Sequence, residues 1–260
     1  MPELISRSQG AIGTIVLSNP EKYNAMSFEM WDGLPGAIEA FDRDPAIRLV
    51  VLEGDGDKAF VSGSDISQFE KQRTGPHATE RYNRAVEQAH LAAARCNKPV
   101  VAKIKGICIG GGVGLAASCD VRLCADNARF RIPAARIGIG YPAAGIARLL
   151  PLLGPQNAME ILFSARFFTA DEALRMGLVA RIWPAAEFEE KANEWLTLVG
   201  QNAPLTLRAI KKATHQLVEN PGIPAGAEVE AAIAACFNSS DYKEGTRAFM
   251  EKRVPNFEGR

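Results

Sequence analysis

The chain has 260 residues, 47% of them hydrophobic, with 30 basic and 30 acidic side chains that cancel and five cysteines at irregular spacing. That composition supports an ordinary globular core, and balanced charge with no basic run argues against nucleic acid or an anionic membrane as the main partner. No apolar run approaches the roughly 20 residues of a membrane span, Met1-Pro-Glu-Leu-Ile5 lacks the regions of a signal peptide, and the odd cysteine count reads as buried reduced thiols in a soluble cytoplasmic protein.

In chain order, Ala11-Ile-Gly-Thr-Ile-Val-Leu17 reads as a strand ended by Ser18-Asn-Pro20. Glu21-Lys-Tyr-Asn-Ala-Met26 is a loop, and Ser27 is an N-cap for a helix running towards Asp42. Leu49-Val-Val-Leu-Glu53 is a second strand with its turn at Gly54-Asp-Gly-Asp57. Phe60-Val-Ser-Gly-Ser-Asp-Ile66 leaves the sheet in a glycine-containing loop, and a polar stretch covers Gln68 to Thr79. Glu80 to Cys96 reads as a helix, Pro99-Val-Val-Ala-Lys-Ile104 as a buried strand, and Val121-Arg-Leu-Cys-Ala125 as another.

Between the last two lies Gly106-Ile-Cys-Ile-Gly-Gly-Gly-Val-Gly-Leu-Ala-Ala-Ser-Cys-Asp120, which reads as a sharp turn opening a helix whose first turn is nearly bare backbone. A helix start carries unpaired N–H groups that can hold an anion or a developing oxyanion, and glycine lets a reacting atom reach them. The same glycines also suit a crowded helix–sheet crossing, and the pattern alone does not choose between the two.

From Ala144 onward the chain is mostly helical. Thr169-Ala-Asp-Glu172 fits a capping box, Gly177 stops that helix, and Val179 to Ile182 is a short strand. Helices follow over 185–199, 204–219, 225–237 and 241–251. The reading is one spiral α/β core over 1–195 followed by a helical C-terminal region over 196–260.

Several of these stretches resemble the crotonase family, the enoyl-CoA hydratase/isomerase superfamily. The loop 60–66 resembles its first active-site loop, the glycine stretch its second, and Cys119-Asp120 its aspartate after that helix. Thr169-Ala-Asp-Glu-Ala-Leu-Arg-Met-Gly-Leu-Val179 and Asp241-Tyr-Lys-Glu-Gly-Thr-Arg-Ala-Phe-Met-Glu-Lys-Arg253 match two further family segments in order. The resemblance implies a spiral of ββα repeats, assembly into trimers or hexamers, and a coenzyme A thioester as substrate, with no separate cofactor and no metal. It implies that the amides of Ser64 and Gly111 hold the thioester oxygen as an oxyanion hole. Lys22, Ala25, Ser62, Ser64, Asp65, Ile66 and Ala134 would surround the CoA and acyl groups. Phe249 and Lys252 would arrive from the C-terminal helix of a neighbouring subunit.

The chain departs from the family where a hydratase carries its two glutamates: Gly114 and Ala134 stand there. Hydration calls for groups that move protons, which neither residue can do. Gly138-Ile-Gly-Tyr-Pro-Ala-Ala-Gly-Ile146 resembles instead the methylmalonyl-CoA decarboxylases of the superfamily, making Tyr141 the third catalytic candidate. Its phenol would orient a departing carboxylate or assist enolate protonation, or it would simply wall the pocket. A non-catalytic acyl-CoA-binding relative is a further alternative. His77, His90 and His215 are left without a role, Cys108 is expected to be buried, and Arg136 is either a pocket cation or surface.

Overall fold

The computed structural model describes residues 1–65 and 76–260. The order is β1 (Glu3–Gln9), β2 (Ile12–Ser18), α1 (Phe28–Arg43), β3 (Leu49–Gly54), β4 (Ala59–Val61), α2 (Pro76–Arg95), β5 (Val100–Ile104) and β6 (Ile107–Ile109). Then come α3 (Gly111–Ser118), β7 (Val121–Ala125), β8 (Arg129–Arg131), α4 (Ala143–Ser164), β9 (Phe168–Thr169), α5 (Ala170–Met176) and β10 (Arg181–Trp183). Helices α6 (Phe188–Gly200), α7 (Pro204–Glu219), α8 (Ala227–Phe237) and α9 (Ser240–Glu251) complete the chain.

Among the described residues two sheets form, one ordered β1-β2-β3-β5-β7-β10 and the other β4-β6-β8-β9. Each pair β3/β4, β5/β6 and β7/β8 sends its first strand to the large sheet and its second to the small one, and a helix follows each pair. That is the expected ββα spiral. Parallel pairing links all neighbours except β1–β2 and β8–β9.

Strand β3 shows why the core strands carry no polar alternation. Val50 and Leu52 join the main core with α1 and α2, while Leu49 and Val51 join a second cluster under Phe188, Ala192 and Leu196 of α6. A parallel strand covered on both faces reads as a near-continuous apolar run. Helix α6 runs across position 195/196 and packs on the sheet, so the helical region begins as part of the core's cover.

The local signals behave as read. Ser27 accepts a hydrogen bond from Met30 N–H at 3.2 Å, and both halves of the Thr169/Glu172 capping box form. Gly177 ends α5 at φ 85°, and helix α7 spans Pro204–Glu219 as expected. Three short or exposed strands escaped the pattern. Strand β1 is almost wholly exposed edge, and β6 and β9 are only three and two residues long. What read as one sharp turn after Ile104 therefore contains β6, paired with β4 and β8. Strand β10 begins at Arg181 rather than Val179, because Leu178 and Val179 are apolar to fill the core beneath α5. Helix α2 begins at Pro76, ahead of the expected Glu80. Positions 66–75, including Ile66 and most of the expected polar stretch, lie outside the described residues.

Buried polar groups lock the end of α3. The Asp120 carboxylate accepts Val100 N–H at 2.7 Å and meets Lys211 Nζ at 2.8 Å and His215 Nε2 at 3.0 Å. His215 thus ties α7 to the sheet. Arg122 donates to the carbonyls of Leu178 and Cys119, both at 2.6 Å. All five cysteines are free, and burial pushes the thiols of Cys119 and Cys124 up to about 12 and that of Cys108 well above its ordinary value. Among the described residues no helix is long and apolar enough to cross a membrane.

Candidate active site

The first loop is built by hydrogen bonds between Asn19–Met26 and Ala59–Asp65. Asn24, in the left-handed region, donates to Ala59 O at 2.7 Å, and Asn19 donates to Ala25 O at 2.7 Å. Ser62 Oγ donates to Lys22 O at 3.0 Å, and Lys22 Nζ reaches Asp65 Oδ2 at 2.8 Å. Lys22, Ala25, Ser62 and Asp65 are therefore brought together. The Asp65 carboxylate is buried and fixes the half-exposed lysine, which is a structural role.

Ser64 pairs with Met26 in a parallel bridge. Met26 N–H donates to Gly63 O at 2.8 Å and Asp65 N–H to Met26 O at 2.9 Å, which turns the N–H of Ser64 to the other side of its chain. A Cβ placed on Gly111 would lie 3.9 Å from Ser64 Oγ, so the two expected oxyanion donors are neighbours. Gly111 opens α3, where the first amides have no intrahelical acceptor. Among the described residues the loop and cap hydrogen bonds include none donated by either amide.

The glycines around this turn have separate reasons. A Cβ on Gly112 would fall 2.5 Å from Val61 O and 2.8 Å from Val61 Cβ, so α3 lies directly on β4. A Cβ on Gly114 would meet His90 instead, at 3.0 Å from Cε1 and 3.3 Å from Nε2. His90 projects from α2 and is 6% exposed. Its imidazole stands edge-on to Trp31, with centroids 5.6 Å apart at 85°. Trp31, fully buried on α1, in turn puts Cζ2 3.1 Å from the Cβ position of Gly111. Burial, reinforced by the Arg148 charge and opposed by a main-chain hydrogen bond at Gly111, lowers the His90 pKa to about 3. The ring is neutral at any physiological pH.

Sequence alone gives His90 no role and does not single out Trp31 or Arg148. A signal existed. Residues 82, 85, 86, 89, 90 and 93 form one inward stripe of α2, and a histidine within an apolar stripe is a buried histidine.

Tyr141 precedes α4 and folds back over it, since a Cβ on Gly145 would lie 2.8 Å from its Cε1 and 3.4 Å from its hydroxyl. The ring packs on the main core, and burial raises its pKa to about 12 against the lowering effect of Arg148. Arg148, ion-paired with Glu87 of α2, is thus the cation that acts on both Tyr141 and His90. Ala134 lies in the turn Ala134–Arg136 against the core, and Arg136 is exposed. His77 is exposed too.

Phe249 and Lys252 are not part of this cluster within the chain. Phe249 is 86% exposed and lines an apolar groove of about 690 Å³ among α7, α8 and α9, with Ile210, Phe237 and Tyr242. On the C-terminal helices Leu196 packs in the core, whereas Leu198, Ile210, Leu217 and Val218 are exposed.

The whole chain is similar to known proteins. The family model described as enoyl-CoA hydratase/isomerase matches residues 7–260. A short-chain-enoyl-CoA hydratase of Clostridium acetobutylicum is 31% identical over 260 residues, covering 99% of this chain and 98% of its own. A crotonyl-CoA hydratase of Syntrophomonas wolfei is 32% identical over 255 residues, covering 98% and 97%. The crystal structure of an enoyl-CoA hydratase/carnithine racemase from Magnetospirillum magneticum superposes with a TM-score of 0.94 at 32% identity, over 100% of this chain and 97% of that one.

Proposed function

Because this chain belongs to the enoyl-CoA hydratase/isomerase family, we propose that it is an enzyme that binds an acyl-CoA thioester and stabilises its enolate with the amides of Ser64 and Gly111. The observation that carries this reading is the juxtaposition of those two residues at the head of α3, with no loop or cap hydrogen bond donated by either amide among the described residues. Donors fixed in advance face charge that appears only in the transition state, and one such donor is typically worth ~3 kcal/mol. Lys22, Ala25, Ser62 and Ile66 receive the CoA, with Asp65 holding the Lys22 ammonium as a point charge for phosphate. Ala134 borders the acyl group. Phe249 and Lys252 complete the site from a neighbouring subunit of a trimer or hexamer, which also covers the apolar faces of α7 to α9. The protein works in the cytoplasm on a small-molecule thioester, without a metal or separate cofactor.

Overall resemblance favours the label enoyl-CoA hydratase, but Gly114 and Ala134 supply no proton carrier, so turnover of crotonyl-CoA is expected to be weak. Loss of enoyl thioester absorbance tests this, and rates near the usual enzyme median of ~10 per second would refute it.

One observation favours a second reading: the part-buried Tyr141 phenol lies within the electrostatic reach of Arg148 and stays protonated well past neutrality. In a malonyl-type thioester the bond between the α-carbon and the carboxylate breaks, its electron pair moves to the thioester oxygen, and carbon dioxide leaves. The enolate α-carbon then takes a proton from the Tyr141 hydroxyl, which is reprotonated from solvent. Only the amides and one positioned hydroxyl are needed. Tyr141→Phe retains CoA affinity and loses turnover of a carboxylated thioester if this is right. Equal turnover by both proteins leaves Tyr141 as a wall. Calorimetric titration with butyryl-CoA separates every acyl-CoA reading from a protein that does not bind thioesters, and binding without turnover of any thioester in a panel marks the non-catalytic relative.

A further inference from the structure

Two polar atoms at the base of this site have no hydrogen-bond partner among the described residues: Nε1 of Trp31 and Nε2 of His90. Both side chains are more than nine-tenths buried, and leaving such a group unsatisfied costs roughly 1–3 kcal/mol. They are complementary in kind. Indole nitrogen only donates. The imidazole is neutral, so one of its ring nitrogens is an acceptor, and in the tautomer protonated at Nδ1 that acceptor is the unmet Nε2.

They are also close to one another and to the reaction centre. The rings are a T-shaped pair 5.6 Å apart. In the indole, Nε1 is separated from Cζ2 by one ring atom, and Cζ2 is 3.1 Å from the Cβ position of Gly111. Nε2 of His90 is 3.3 Å from the Cβ position of Gly114. Residues three apart on a helix lie on one face, about 5–6 Å between Cβ atoms. Both atoms therefore attend the same face of the first turns of α3, next to Ser64. An N–H···π contact between the rings is second-order and leaves the Nε2 lone pair unused.

We propose that Trp31 Nε1–H and His90 Nε2 form a two-point site for a single hydroxyl, supplied by a bound water or by a hydroxyl on the acyl chain. A hydroxyl accepts from the indole and donates to the imidazole, so one group meets both requirements. The acyl source rests on the acyl-CoA function proposed above; the water source does not. No charged group fits as well, because the acceptor nitrogen repels an anion's lone pairs and the neighbouring Arg148 disfavours a cation.

The test compares butyryl-CoA with 3-hydroxybutyryl-CoA by calorimetry, alongside NMR of the Trp31 indole N–H and the His90 ring nitrogens. If the acyl hydroxyl is the occupant, 3-hydroxybutyryl-CoA binds tenfold or more tightly, and the preference vanishes in His90→Phe while butyryl-CoA affinity is kept. If water is the occupant, the two thioesters bind alike, and the ligand-free protein shows a long-lived water cross-peak to the Trp31 indole N–H that His90→Phe abolishes. His90→Gln, which keeps an acceptor, retains part of either signal and guards against a folding defect. Equal affinities with no such cross-peak and an unbonded Nε2 shift overturn the proposal. Failure of the folded protein to bind butyryl-CoA would instead strike the acyl-CoA reading, leaving the water arm measurable.

Discussion

Replacing Gly114 by alanine tests whether the histidine of α2 has taken the space that a side chain on α3 would occupy. Alanine in a helix interior is ordinarily favoured over glycine by roughly 0.5–1 kcal/mol. Here the new methyl would lie 3.0 Å from His90 Cε1, and the imidazole is wedged against Trp31 with almost no exposure. Overpacking of a closed core costs typically 1–3 kcal/mol, so Gly114→Ala should destabilise by roughly 0.5–2 kcal/mol. Introduced into a His90→Ala background, the same change meets a cavity and should stabilise by up to about 1 kcal/mol from helix propensity. Urea denaturation of the four proteins gives the coupling directly, expected at roughly 1–3 kcal/mol. Two equal effects, within the ~0.5 kcal/mol usual for independent sites, would refute the contact. If the contact holds, a carboxylate at position 114 requires His90 to be trimmed, and His90→Ala with Gly114→Glu and Ala134→Glu is the combination to assay for crotonyl-CoA hydration.

Three further outcomes are expected. His90 titrates near 3 in the fold and near 6.5 when unfolded, so below about pH 6.5 the unfolded chain takes up a proton that the folded one refuses. Stability therefore falls on acidification, by about 2–3 kcal/mol between pH 6.5 and 4.5, and His90→Phe should lose that part of the slope. The groups around the ring are Arg148 on α4, Glu87 on α2, the indole of α1 and the uncharged glycines of α3, so a variant with an unchanged slope would place the acid sensitivity elsewhere. Gly112→Ala drives a Cβ to 2.5 Å from the Val61 carbonyl, and because backbone must move, a loss of about 3 kcal/mol in urea and a shifted Ser64 loop are expected. A variant as stable as the parent contradicts the α3–β4 contact. Phe249→Asp, on an 86% exposed ring at the edge of the C-terminal groove, should lower the mass measured by light scattering if that face joins subunits. A parent protein that is already monomeric removes the shared-site arrangement.

The residues that announce this fold act locally. Ser27, Thr169 with Glu172, and Gly177 set helix ends through their own backbone neighbours, and β3, β5 and β7 are mostly apolar, each with one buried charged residue (Glu53, Lys103 and Arg122), because both faces are covered. Such features survive in a linear string, as does the glycine run that opens α3. The first loop was legible too, since Ser62, Ser64 and Asp65 fall in a single short segment. Tertiary structure alone decided the rest. Strands β6 and β9 exist because long-range partners complete their ladders, and no run of two or three residues signals that by itself. Whether a glycine is present for an amide, for contact with β4 or for a histidine depends on what lies opposite, and Gly111, Gly112 and Gly114 differ in that respect alone. His90 is the plainest case. It lies 24 positions before Gly114, and its neutrality, its contact with Trp31 and its unmet nitrogen all follow from α1, α2, α3 and α4 closing around one point.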